Sequence, residues 1–269
     1  MNPSVSAAWL AARLGTETVA IADCRFALAA PEQGEAQYRE QHIPGAYYLH
    51  LDRHLSGPRR RHGGRHPLPA PEALSATLAA MGVIKGKTWL IAYDDARLAF
   101  AARLWWLARH GGHDRVAVLD GGWSGWLAQG YPTTAALPQP RPGFFPVQPG
   151  ALPLAEREAV QQRGAMTVLV DARAAARYRG ESEPIDPVAG CIPGAVNAPW
   201  QEVCDAQGYL QPPEFHRQRW AAYAGQELIL YCGSGVTACV NLLSLAIAGR
   251  EDAALYPGGW SDWCSYSAT

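Results

Sequence analysis

The stretch YCGSGVTACVN at 231–241 closes an apolar run, ELILY, and places Cys232 directly after it. Two glycines, a serine and a threonine then follow before a helical pattern resumes around Thr237. A core strand has no use for such a loop, whereas a thiolate held before a ring of backbone N–H groups does. Gly233 and Gly235 permit positive φ and let the backbone curl with its N–H groups inward. The helix that follows adds the positive end of its dipole, and Thr237 stands where a side chain would cap it. Both effects favour the thiolate, the reactive form of a cysteine. Gly233, Gly235, Val236 and Thr237 are then expected to line the space in which a substrate meets Cys232.

Two chemistries use a cysteine cradled in this way. Phosphoryl transfer needs an arginine six residues after the nucleophile, to neutralise phosphate. Ala238 occupies that position here, and no arginine follows until Arg250. The remaining chemistry is a thiolate that accepts a sulfur atom and holds it as a persulfide, an anion that the same N–H ring stabilises.

The other cysteines are Cys24, Cys191, Cys204, Cys239 and Cys264, and no C-x-x-C pair occurs among them. Zinc and thioredoxin-type redox chemistry therefore lack their signature, and neither a metal nor an organic cofactor is expected. A net charge of −1 gives no argument for nucleic acid or an anionic membrane as partner. No run approaches the ~20 apolar residues of a membrane span. The opening MNPSVSAAWLAARLG lacks the basic start and long apolar core of an export signal and reads as an amphipathic helix. A cytoplasmic protein with free thiols is the expectation.

The elements that position Cys232 are legible because the chain repeats itself. TVAIADCR at 18–25 answers TVLVDARA at 167–174, and HIPGAYYLHLD at 42–52 answers CIPGAVNAPWQ at 191–201. WLIAYDDARLAFAARLWWL at 89–107 answers LILYCGSGVTACVNLLSL at 228–245, and VAVLDGGWSGW at 116–126 answers AALYPGGWSDW at 253–263. Short apolar strands alternating with helical patterns predict an α/β fold in each copy, a mainly parallel sheet flanked by helices. Ligands of such sheets sit at the carboxyl ends of strands, where Cys232 lies. Seven prolines in 131–153 mark an extended linker between the copies. We place the domains at 1–135 and 153–269, with the linker at 136–152 and catalysis in the second. Aligning the copies sets Asp94 opposite Cys232, so the first copy has no thiol for a persulfide.

CGSGVTA at 232–238, the paired IPGA turns and the two Gly-Gly-Trp endings resemble the tandem-rhodanese sulfurtransferases, over about residues 4–266. The loop is closer to the mercaptopyruvate type than to the thiosulfate type, whose loops carry Arg or Lys beside the cysteine. The resemblance implies two rhodanese-like domains, the second catalytic. It implies a small-molecule sulfur donor, and a thiol acceptor such as thioredoxin, or cyanide. It also implies site residues outside the loop. Asp52, after the first IPGA turn, and His66, in RHPLP, match positions that approach the loop serine, Ser234. Ser234 would relay a proton, His66 would pass it on near neutral pH, and Asp52 would fix the imidazole tautomer. Arg177, in RYRGESEPIDP, matches a carboxylate-binding arginine. A second arginine of that clamp is expected just after Glu183-Pro184, where this chain has Ile185. The run PRRRHGGRH reads as a solvated basic loop, with steering of anionic substrates as the alternative.

Overall fold

The computed structural model describes residues 2–266, so Met1 and the last three residues of the expected second domain lie outside the described residues. The chain divides into two compact units. One contains residues up to Ser56 together with Pro69–Ala151 and Cys204–Leu210. The other contains Gly57–Leu68, Leu152–Val203 and the chain from Gln211 onward.

The first unit is built on a five-stranded sheet of β1 (Ser4–Val5), β2 (Val19–Asp23), β3 (Ala46–Tyr48), β4 (Trp89–Tyr93) and β5 (Val116–Leu119), in the order β1-β5-β4-β2-β3. Every pairing is parallel. The second unit has β6 (Thr167–Asp171), β7 (Val196–Asn197), β8 (Glu227–Tyr231) and β9 (Ala254–Leu255), ordered β7-β6-β8-β9 and again all parallel. Helices cover both sheets. Strands such as VAIAD and ELILY run apolar without alternation because each of their faces is buried, the signature of a parallel sheet covered on both sides.

The repeat holds down to register. Asp23 pairs with Tyr93 in one sheet and Asp171 with Tyr231 in the other. Each aspartate is gripped by the arginine two residues on. Arg25 Nη2 lies 2.6 Å from Asp23 Oδ2, and Arg173 Nη2 lies 2.6 Å from Asp171 Oδ2, all four side chains being buried. Removing one partner of such a buried pair costs about 3–5 kcal/mol. These pairs anchor the carboxyl ends of the central strands, from which the loops at Asp94 and Cys232 depart.

The opening segment differs from the expected amphipathic helix. It forms edge strand β1 and then a helix of only Ala7–Ala11, capped by Ser6, whose hydroxyl accepts from the Trp9 N–H at 3.1 Å. The proline-rich 131–153 stretch holds no helix and no named strand. It runs beside the first unit through isolated bridges of Met81 with Arg141 and Ile84 with Phe144. Among the described residues, no helix is long and apolar enough to cross a membrane.

Candidate active site

Cys232 follows β8 directly and is 2% exposed. Its carbonyl accepts the Trp260 N–H at 2.8 Å, and the Gly233 carbonyl accepts the Ser261 N–H at 2.9 Å. The first turn of helix Gly259–Cys264 thereby draws the loop carbonyls to one side. Among the described residues, the N–H groups of Gly233, Ser234, Val236, Thr237 and Ala238 donate to no protein acceptor, although all but Thr237 are buried. Buried N–H groups are almost always paired, so five unpaired ones in one loop, four of them on buried residues, mark a place built for an anion. Gly235 is obligatory, with φ +70° and room for a β-carbon only 2.4 Å from the Pro257 carbonyl oxygen. Helix Ala238–Ile247 starts immediately after the loop. Thr237 occupies its N-cap position but adopts helical φ and ψ, and its side chain makes no capping bond, contrary to expectation. The Cys239 N–H to Val236 carbonyl bond, at 3.1 Å, closes the first turn instead.

The first unit displays the same loop with an anion in it. Asp94 follows β4 as Cys232 follows β8, and its carbonyl accepts the Trp123 N–H at 2.9 Å. Its carboxylate accepts the N–H groups of Ala96 (2.8 Å), Leu98 (3.0 Å), Phe100 (2.8 Å) and Ala101 (2.8 Å). The same offsets from Cys232 fall on Ser234, Val236, Ala238 and Cys239. Arg97 takes φ +53° where Gly235 takes +70°, so the curl is reproduced without glycine. Burial pushes the Asp94 carboxyl up, and the four N–H groups pull it back towards the ionised form. A loop of this shape thus holds an anion, supplied in the first unit by the chain itself.

The segment 57–68 completes the surroundings of Cys232 within the second unit. The Gly63 N–H donates to Asp262 Oδ1 at 2.6 Å, and the Arg65 N–H donates to Ser261 Oγ at 2.9 Å. Between them Gly64, at φ +82°, sits so close to the Gly258 carbonyl that a β-carbon would lie 2.4 Å from its oxygen. So fixed, His66 places Nδ1 2.7 Å from Ser234 Oγ, with both residues buried. A proton can pass between hydroxyl and imidazole over that distance.

Arg177, on the short helix Ala175–Tyr178, approaches the loop from another direction. A β-carbon at Gly233 would lie 3.6 Å from Arg177 Nη2 and 2.9 Å from Arg65 Nη2. Arg177 is held by Glu183 (2.7 Å) and Asp186 (3.2 Å), and Asp186 also pairs with Arg65. Burial pushes the Asp186 carboxyl up, with the Arg65 and Arg177 guanidiniums pulling against it. Sequence reasoning read Arg65 as part of a solvated loop. The paired glycines before it, which let the backbone press against Gly258, were the available signal. Arg179 pairs with Glu181 and is exposed. Asp52 belongs to the first unit, exposed on helix Leu51–His54, with its N–H donating to His50 Nδ1 at 3.1 Å.

Four of the other five thiols are poorly suited to chemistry. Burial pushes Cys24 and Cys191 up, and it pushes Cys204 and Cys264 up to about 12. At neutral pH these four are protonated and weak nucleophiles.

Fold and loop together define the class. The model of the Rhodanese-like domain matches residues 6–129 and again 155–266, and the chain belongs to the rhodanese family. It is 45% identical over 267 residues to a probable 3-mercaptopyruvate sulfurtransferase of Pseudomonas aeruginosa, covering 96% of this chain and 94% of that one. It is 37% identical to a putative thiosulfate sulfurtransferase, SseB, of Mycobacterium tuberculosis, covering 93% of this chain and 89% of that one. Among solved structures it resembles SseA of Escherichia coli, a 3-mercaptopyruvate sulfotransferase. The TM-score is 0.84 at 30% identity, over 97% of this chain and 100% of the other.

Proposed function

We propose that the chain is a 3-mercaptopyruvate sulfurtransferase that works through a persulfide on Cys232. The Cys232 thiolate attacks the sulfur of the donor. The carbon–sulfur bond breaks, its electron pair passes to the carbon, and pyruvate leaves as its enolate. Ser234 delivers a proton to the departing group and is reprotonated through His66. Arg177 binds the donor carboxylate by charge-assisted hydrogen bonds. The Cys232 persulfide anion rests in the loop of Gly233, Gly235, Val236 and Thr237, among the N–H groups of Gly233, Ser234, Val236, Thr237 and Ala238. A thiolate acceptor then attacks the outer sulfur, takes it away as its own persulfide and returns Cys232 to the thiolate. Reduced thioredoxin fits this acceptor role, cyanide instead takes the outer sulfur through its carbon as thiocyanate, and the free thiols suit the cytoplasm. The first copy, 1–135, is non-catalytic, the second, 153–269, carries the nucleophile, and 136–152 links them.

The observation that carries this reading is the buried Cys232 in a loop of unpaired N–H groups whose counterpart at Asp94 holds a carboxylate. Thiosulfate is the second reading, and Arg65 favours it: this arginine brings beside Gly233 a positive charge that the loop itself lacks. Comparing kcat/KM for the two donors with one acceptor separates them. We expect mercaptopyruvate to be preferred by at least about tenfold, because Ser234 serves a carbon leaving group and sulfite needs no such proton. Equal or better use of thiosulfate would reverse the assignment.

A further inference from the structure

We infer that Arg65 is a donor-binding residue which, with Arg177, clamps the anionic end of the sulfur donor, and that Asp186 holds the two guanidiniums in register. The inference rests on the sulfurtransferase reading and adds a residue that sets which donor is used. It starts from how each guanidinium is engaged. Arg65 gives Nη1 to Asp186 Oδ1, while Arg177 gives Nη2 to Asp186 Oδ2 and to Glu183 and gives Nε to Glu183. Among the described residues, Arg65 Nη2 and Arg177 Nη1 have no partner. These two nitrogens lie beside the same place, 2.9 Å and 3.7 Å from where a β-carbon of Gly233 would stand. Two unused donors from two arginines, converging beside the cysteine loop, suit one carboxylate or sulfonate.

Asp186 makes the arrangement specific. One carboxylate oxygen faces each arginine, so the pair cannot splay apart without stranding a carboxylate whose side chain is only 3% exposed. Asp186 and Glu183 offset the two guanidiniums, yet the surroundings stay positive. Arg59, Arg60 and Arg61 line the same cleft as Arg65 and Asp186, are exposed, and form no ion pair among the described residues. The arginine missing after Pro184 is thus replaced from a segment 121 residues away in sequence, counted from Asp186. A dianionic donor gains more from a second guanidinium than a monoanion does. Arg65 therefore raises thiosulfate use relative to mercaptopyruvate.

The test compares the full chain with its Arg65→Met, Arg65→Lys and Asp186→Asn variants, reading kinetics with both donors and calorimetric binding of pyruvate and of sulfate. Arg65→Met should raise KM for mercaptopyruvate about tenfold while leaving kcat within about twofold, and should weaken both ligands. Its loss in kcat/KM should be greater for thiosulfate, and Arg65→Lys should recover part of it. Asp186→Asn should raise KM less than Arg65→Met does. Unchanged KM and unchanged binding in Arg65→Met would overturn the inference. So would an equal fall in kcat for both donors with binding intact, the mark of a residue that merely supports the loop. Should the wild-type chain turn over neither donor, the sulfurtransferase reading fails. The two binding constants still decide whether Arg65 is an anion ligand.

Discussion

At the residue scale the chemistry depends on small groups held at short range. Ser234 Oγ and His66 Nδ1 lie 2.7 Å apart and buried, and the proposed mechanism has them act on one proton. Losing either should cost the proton transfer, about 100-fold or more in kcat. Ser234→Ala, His66→Asn and the double variant should fall by similar amounts, because residues acting as a unit are not additive. Steady-state rates with mercaptopyruvate check this, and full activity in His66→Asn would remove the relay. The sequence announced these residues unevenly. The proposal of Cys232 came from spacing, since a cysteine at a strand end with two glycines close behind it faces inward-turned backbone N–H groups, whereas the role proposed for Ser234 came from the family resemblance. His66 needed the family resemblance, because its neighbours look like any basic loop. Arg65 was signalled only by the paired glycines before it. Its meaning comes from Asp186 and Gly233, partners that no local pattern connects to it.

At the element scale the two sheets and their loops are one design used twice. Apolar runs, Gly-Gly-Trp endings and IPGA turns made the strands and their parallel order readable, because a sheet buried on both faces leaves a continuous apolar signature. The short pieces were harder. Thr237 has the right residue type for a cap, but the backbone is already helical there and leaves its side chain no N–H to accept from. The opening segment became a strand because Ser4 and Val5 pair with Val118 and Leu119 at the sheet edge, a contact that local periodicity does not encode. The loop at Asp94 permits a direct test of the N–H ring. Asp94→Ala strands four N–H groups at Ala96, Leu98, Phe100 and Ala101. Each unsatisfied buried group costs about 1–3 kcal/mol, so the unfolding free energy should fall by about 3 kcal/mol or more in denaturant titration. A change under about 1 kcal/mol would mean that the ring needs no anion.

At the scale of the whole molecule, sequence copies and structural units do not coincide. Gly57–Leu68 lies in sequence between strands of the first sheet, yet it belongs to the second unit and brings Arg65 and His66 to the cysteine loop. That is why a reading by repeats gave the fold and the cysteine loop but not the full set of groups around it. The central claim is that this chain carries sulfur on Cys232 and nowhere else. Five other cysteines are present, and burial raises the pKa of four of them. The direct measurement is the intact mass of the full chain after exposure to 3-mercaptopyruvate without acceptor. Wild-type protein should gain the mass of one sulfur atom and lose it again when a thiol is added, while folded Cys232→Ser should gain none. A sulfur that still appears on Cys232→Ser, or a wild-type chain that takes up none, would contradict the account.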